Sequence, residues 1–111
     1  MGQRQRTYSR YTRDAVTLLA RQIQVGRKER RWTEQELADR AGIARATLQK
    51  IEKGDLGVAV GLVFEVAALV GVTLFDSERA TLAGHVARAD DKLALLPEAV
   101  RRPKKAVDDA F

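Results

Sequence analysis

The sequence contains no cysteine, so a disulfide framework and a thiolate metal site are both excluded. Its single histidine, His85, has no second histidine or cysteine with which to share a metal ion. We therefore expect His85 to be a packed or solvated helix residue, neither a ligand nor a general base. No apolar run approaches the roughly 20 residues that span a bilayer. Residues 1–13 are basic and polar without an apolar stretch behind them, so no signal peptide is predicted and a cytoplasmic protein without membrane contact is expected.

Groups that could carry catalysis are equally few. Asp90–Asp91 and Asp108–Asp109 are neighbours in sequence, and neighbours on a helix point about 100° apart, which makes them poor paired ligands. No glycine-rich phosphate loop follows a strand, and no segment has a convincing strand pattern. The sequence therefore predicts neither an enzyme nor a bound cofactor.

Positive charge is concentrated in the first half of the chain. Residues 1–56 hold 13 Lys and Arg against 7 Asp and Glu, whereas residues 57–111 hold 7 against 8. A localised positive field suits a phosphate backbone, because neutralising phosphates releases condensed counterions. A soluble basic surface without a partner would have the same composition, so charge alone leaves the two interpretations open.

Helical signals fill most of the chain. Residues 1–11 predict a flexible basic arm, and a first helix is expected from Thr12, as its N-cap, to about Arg30. Thr33 and Glu36 have the capping-box spacing and predict a second helix over residues 34–41. Gly42 should end that helix, and a third is expected over residues 45–53.

Two short helices joined by a three-residue turn with glycine form a helix-turn-helix arrangement. The second helix of such a pair is narrow enough to enter the major groove of DNA. Because Leu48 and Ile51 must face inward, the outward residues of this helix are predicted to recognise bases: Arg45, Ala46, Gln49 and Lys50.

The last two predicted helices are unusually apolar. Residues 60–70 carry Glu65 as their only charge, and a helix apolar on nearly all sides is buried on nearly all sides. A fifth helix, from Ser77 as N-cap to Leu96, has a heptad seam that prefers another helix as partner, unless it folds back on its own domain. We expect a homodimer, formed through either helix or both. Its interface is predicted to contain Leu62, Phe64, Val66, Leu82, Val86 and Leu93.

These segments predict an all-α fold of five helices. The expected organisation is an arm over residues 1–11, a helix-turn-helix domain over 12–76, an amphipathic helix over 77–96 and an extended tail over 97–111. The core is predicted to contain Trp32, Leu37, Ile43, Leu48, Ile51, Val66 and Leu69.

The run WTEQELADRAGIARATLQKIEKG, from Trp32 to Gly54, resembles the phage-repressor and XRE type of helix-turn-helix regulator. The resemblance implies an ion pair between Arg27 and Glu52, and base contacts from the start and a later position of the recognition helix. The phosphate contacts expected from this comparison and from the basic arm are Gln35, Thr47, Lys53, Arg4, Arg6 and Arg10.

Two departures from that family pattern stand out. The family usually has glutamine directly after the capping threonine, whereas this chain has Glu34, and no DNA contact is carried over to a carboxylate. Ala44 replaces the usual serine cap of the recognition helix, which should weaken the start of that helix by roughly 1 kcal/mol.

A narrower resemblance is carried by RKERRWTEQELA, KGDLGVAVGLVFEVAALVGVTLFD and LALLPEAVRRPKKAVDDAF. These stretches look like the HipB-type antitoxins of HipA-family kinase toxin modules. The resemblance implies a repressor of its own operon, acting as a dimer on a palindromic double-stranded operator, with a HipA-like Ser/Thr kinase as partner. Asp108, Asp109 and Phe111 would dock on that kinase. The alternatives are a stand-alone repressor, an adaptor that no longer binds DNA, and a tail that is simply solvated.

Overall fold

The computed structural model describes residues 6–77 and 79–102 of the chain. Within these ranges there are five α-helices, one 3-10 turn at Leu74–Asp76 and no strand, which confirms the predicted all-α fold. The helices are α1 Arg10–Glu29, α2 Glu34–Ala41, α3 Arg45–Glu52, α4 Val60–Leu69 and α5 Arg79–Ala94. The chain divides after Ser77 into two compact units, and the second contains α5. None of the helices in the described ranges has both the length and the apolar character needed to cross a membrane.

The boundaries of α2 are those predicted, and the other helices differ at their ends. α1 begins two residues earlier than Thr12, because Ser9 is the N-cap and its side chain accepts a hydrogen bond from the Thr12 amide at 3.2 Å. α5 ends at Ala94 and not at Leu96. The proline at position 97 disfavours helical geometry in the residue before it, which is consistent with Leu96 lying outside the helix.

The first four helices end in the same type of chain reversal. A residue with positive φ follows the helix, and the next amide donates a hydrogen bond back to a carbonyl of the last turn, as in a Schellman motif. The amides of Trp32, Ile43, Asp55 and Val72 make these bonds at 2.9–3.2 Å. The positive-φ residues are Arg31, Gly42, Gly54 and Gly71. Three are glycine, the residue that adopts this conformation without steric cost.

The core of the first unit lies among α1–α4. Ile23, Leu37, Leu48 and Val66 are fully buried, and each contributes roughly 1.5–3 kcal/mol by leaving water. Ile51 is also buried. Of the remaining predicted core residues, Trp32, Ile43 and Leu69 are partly buried and pack against this cluster. The predicted core is therefore correct in position, with three of its members at the edge.

A glycine allows α1 and α4 to approach closely. A Cβ atom at Gly26 would lie 2.6 Å from the carbonyl oxygen of Val70, closer than real Cβ contacts permit. The Arg30 guanidinium donates a hydrogen bond of 2.6 Å to that same oxygen. The end of α1, a helix that also packs against α3, is thereby attached to the end of α4.

Candidate nucleic-acid interface

The entry to the helix-turn-helix is stabilised by a complete capping box. The Glu36 amide donates to the Thr33 hydroxyl at 3.0 Å, and the Thr33 amide donates to the Glu36 carboxylate at 2.7 Å. At the start of α3, Ala44 provides no side-chain cap, as expected from the sequence. There the Ala44 carbonyl accepts hydrogen bonds from the amides of Thr47 and Leu48, which closes the first turn by backbone alone.

A buried ion pair attaches the end of α3 to α1. Arg27 donates from Nε to Glu52 Oε2 at 2.7 Å and from Nη2 to Glu52 Oε1 at 3.0 Å, so both carboxylate oxygens are bound. Its third nitrogen donates to the Trp32 carbonyl at 3.0 Å. The hydrogen bond to Glu52 raises the pKa of Arg27 above its ordinary value. Two-point pairing of this kind fixes orientation as well as distance, so α3 is held in a defined orientation on the core.

The outward side of α3 carries the side chains predicted to recognise bases. Arg45, Ala46 and Lys50 are exposed, and Gln49 is half-buried. Among the predicted phosphate contacts, Gln35, Lys53, Arg6 and Arg10 are exposed and Thr47 is half-buried. Arg10 belongs to the first turn of α1 and not to the arm. Arg4 lies outside the described residues, as do Asp108, Asp109 and Phe111.

Glu34 joins two of these side chains, a role that the sequence did not reveal. Its Oε1 atom accepts hydrogen bonds from Gln49 Nε2 at 3.2 Å and from Arg45 Nη2 at 3.4 Å. The hydrogen bond from Gln49 is the main cause that lowers the pKa of Glu34, and Arg45 adds to the effect. The carboxylate therefore stays ionised at neutral pH. The sequence signal was the opposite charge of Glu34 and Arg45, but its significance depends on how the turn brings α2 against α3.

The side chains predicted for a dimer interface fall into two groups. Leu62, Val86 and Leu93 are 38%, 59% and 66% exposed, while Phe64 and Leu82 are half-buried. Val66 is fully buried in the core of the first unit. It has no surface left for a partner, so its assignment to the interface was wrong.

Phe75 is an exposed aromatic residue that sequence reasoning missed. It is 77% exposed and packs edge-on against Phe64, with ring centroids 6.0 Å apart. Its φ of 56° is uncommon for a residue other than glycine. No sequence pattern indicates this backbone conformation.

His85 is exposed on α5, with its Nδ1 atom 2.6 Å from Arg88 Nη2. In the described ranges, no group of three or more His, Cys, Asp or Glu side chains is arranged to hold a metal ion.

The comparison with protein families agrees with this geometry. Residues 23–76 match the family model described as helix-turn-helix. Searches of curated proteins and of solved structures gave no significant match. The matched segment begins in α1 and ends with the 3-10 turn, so it contains the capping box, the turn and the whole of α3. Over residues 23–76, just under half of the chain, the match supports a helix-turn-helix domain of the kind with which XRE-type regulators bind DNA.

Proposed function

We propose that the protein is a sequence-specific transcriptional repressor. It binds double-stranded DNA as a homodimer and has no enzymatic activity of its own. The observation that supports this most directly is the outward face of α3. Arg45, Ala46 and Lys50 are exposed there, on a helix fixed to the core by the Arg27–Glu52 pair. A rigid helix with exposed polar side chains at its start meets the geometric requirement for reading the major groove.

Each outward side chain has a matching base chemistry. Arg45 and Lys50 are suited to guanine, whose O6 and N7 atoms both accept hydrogen bonds in the major groove. Gln49 can donate to N7 and accept from N6 of adenine, and Ala46 can contact the methyl group of thymine. Gln35, Thr47, Lys53 and the basic residues near the amino end would contact phosphates without reading sequence.

Replacing Arg45 by alanine is expected to weaken operator binding by roughly 1–3 kcal/mol and to relax the preference for one base pair. The measurement is a titration of wild type and variant against a selected duplex and its single-base variants. Arg10→Ala is the matched control, because loss of a phosphate contact should weaken all sequences alike and reduce the salt dependence. Arg45 has no part in recognition if Arg45→Ala binds operator and random DNA with wild-type affinities.

A two-fold dimer would place two copies of α3 roughly 34 Å apart, one turn of B-DNA or a multiple, on a palindromic site. The proposal is supported by the apolar side chains that single chains leave exposed, among them Leu62, Phe75, Val86 and Leu93. Sedimentation equilibrium at micromolar concentration and moderate salt is expected to give twice the chain mass. A monomer under these conditions would contradict the dimer.

The more specific proposal is that the repressor is the autoregulating, cytoplasmic antitoxin of a HipA-like Ser/Thr kinase. It is supported by the resemblance to HipB-type antitoxins in the three stretches described above, the last of which ends at Phe111. The residues proposed to dock on the kinase lie outside the described part of the chain. A stand-alone repressor, in which α5 only dimerises, is the alternative.

Copurification from the native host, followed by a kinase assay, separates these two possibilities. The antitoxin proposal expects a Ser/Thr kinase to copurify and to be inactive in the complex. A chain lacking residues 98–111 should keep operator binding and lose most of the inhibition. If no kinase copurifies, the stand-alone repressor is supported, and if the shortened chain inhibits fully, the tail has no docking role.

A further inference from the structure

We propose that Glu34 is a specificity-determining residue of the DNA interface, which positions Gln49 and Arg45 for base contacts and disfavours contacts made with phosphates alone. The inference rests on the proposed DNA-binding function and concerns how that function discriminates between sequences. It assigns a role to a carboxylate of α2 that contacts two outward residues of α3.

The placement of Glu34 follows from the turn between α2 and α3. Glu34 is the first residue of α2, directly after the capping Thr33. Arg45 and Gln49 are four residues apart on α3, so they lie on one side of that helix, one turn from each other. The Glu34 carboxylate lies between them and accepts a hydrogen bond from each, at 3.4 and 3.2 Å. Its side chain is 28% exposed, whereas that of Arg45 is 57% exposed.

The contact fixes the orientation of the Gln49 amide. An ionised carboxylate only accepts hydrogen bonds, so the amide must direct Nε2 toward Glu34. The remaining Nε2–H and the Oε1 atom are then left in a defined arrangement, and adenine recognition needs one donor and one acceptor at fixed positions. A neutral amide in place of Glu34 could either donate or accept, so it would permit both orientations of Gln49.

The contact also makes Arg45 selective. A guanidinium has five N–H groups, so Arg45 can retain Glu34 while it donates to O6 and N7 of a guanine. A DNA phosphate approaching Arg45 would meet the negative charge of Glu34 and would be repelled. The carboxylate should therefore weaken non-specific binding more than it weakens binding to the correct site.

The test compares Glu34→Gln with Glu65→Gln. Glu65 is an exposed carboxylate on α4, a helix to which no DNA contact is assigned. Wild-type protein first selects a duplex from a randomised library. Each variant is then titrated with that duplex and with an unrelated duplex of equal length.

Glu34→Gln is expected to bind the unrelated duplex roughly 3- to 10-fold more tightly, because it removes one negative charge near the DNA backbone. The ratio of specific to non-specific affinity should therefore fall. Glu65→Gln, which also removes one negative charge, should leave the ratio unchanged.

A double variant separates positioning from a general charge effect. Glu34→Gln should weaken the preference for the base that Gln49 contacts. In a Gln49→Ala background, Glu34→Gln should no longer change that preference, because Glu34 acts on it through Gln49. Melting temperatures of all variants provide the check on folding. If wild type selects no sequence, the proposed function fails. If wild type selects a sequence but Glu34→Gln keeps its affinity ratio and base preferences, only the role of Glu34 is refuted.

Discussion

Replacing Glu52 by alanine is expected to lower the free energy of unfolding by about 3–5 kcal/mol, because it leaves the charge of Arg27 buried without its partner. Arg27 is only 9% exposed and Glu52 only 4%. In a chain of this size such a loss should lower the melting temperature by more than about 10 °C. Thermal unfolding followed by circular dichroism measures the effect directly.

Two comparisons distinguish the buried charge from a general loss of negative charge. Glu65→Ala removes an exposed carboxylate from α4 and should change stability by less than about 0.5 kcal/mol. Replacing both members of the pair by apolar residues of similar volume should recover much of the loss, since no unpaired charge then remains. The pairing would be energetically unimportant if Glu52→Ala melted like wild type.

The stabilisation from Arg27 should not vary with pH around neutrality. A group whose pKa is raised on folding contributes its stability below the unfolded pKa and loses it only as the pH rises through the folded value. The pKa of Arg27 is raised from an ordinary value that is already far above neutrality. The contribution of Arg27 to the stability difference between wild type and Glu52→Ala is therefore expected to stay constant around neutral pH.

Gly26→Ala is expected to destabilise the fold by about 1–3 kcal/mol, although alanine is normally the better helix former. The added methyl group would lie 2.6 Å from the carbonyl oxygen of Val70 and 2.9 Å from its Cβ atom. Because the first of these atoms belongs to the backbone, α1 and α4 would have to move apart. Denaturant unfolding gives the size of the effect.

Gly61→Ala is the matched control in the same unit. Gly61 lies in α4, and an added Cβ there would meet no other atom within 4 Å. This substitution should stabilise the protein by roughly 0.5–1 kcal/mol through helix propensity. Equal stabilisation by the two substitutions would show that α1 and α4 are not in the close contact described here.

The parts of the fold that sequence predicted are those specified by neighbouring residues. The capping box at Thr33 and Glu36 and the turn at Gly42 were sufficient to place both ends of α2. The start of α1 was missed because Ser9 and Thr12 are both good caps, and nothing nearby in sequence decides between them. The pair Arg27–Glu52 was found through family resemblance, since its members lie on different helices.

The misassigned residues depended on contacts between distant segments. α4 is apolar on nearly all sides, so its pattern does not show which side chains face the core. Val66 was therefore assigned to the dimer interface as well as to the core. Glu34 was given no role because its contacts with α3 are formed only after the turn has closed. Sequence patterns identify the elements, but the side chains that connect them require the three-dimensional arrangement.

The short reversals between helices also determine how quickly this domain can fold. α2 and α3 are separated by only three residues, so their contact closes a very small loop. The Arg27–Glu52 pair closes 25 residues, and the bond from Arg30 to Val70 closes 40. The entropy lost on closure grows with loop length, and helical proteins with mainly local contacts fold in microseconds to milliseconds. We therefore expect α2 and α3 to pair before α4 closes onto α1, so that the surface proposed to recognise DNA is among the first parts of the chain to form.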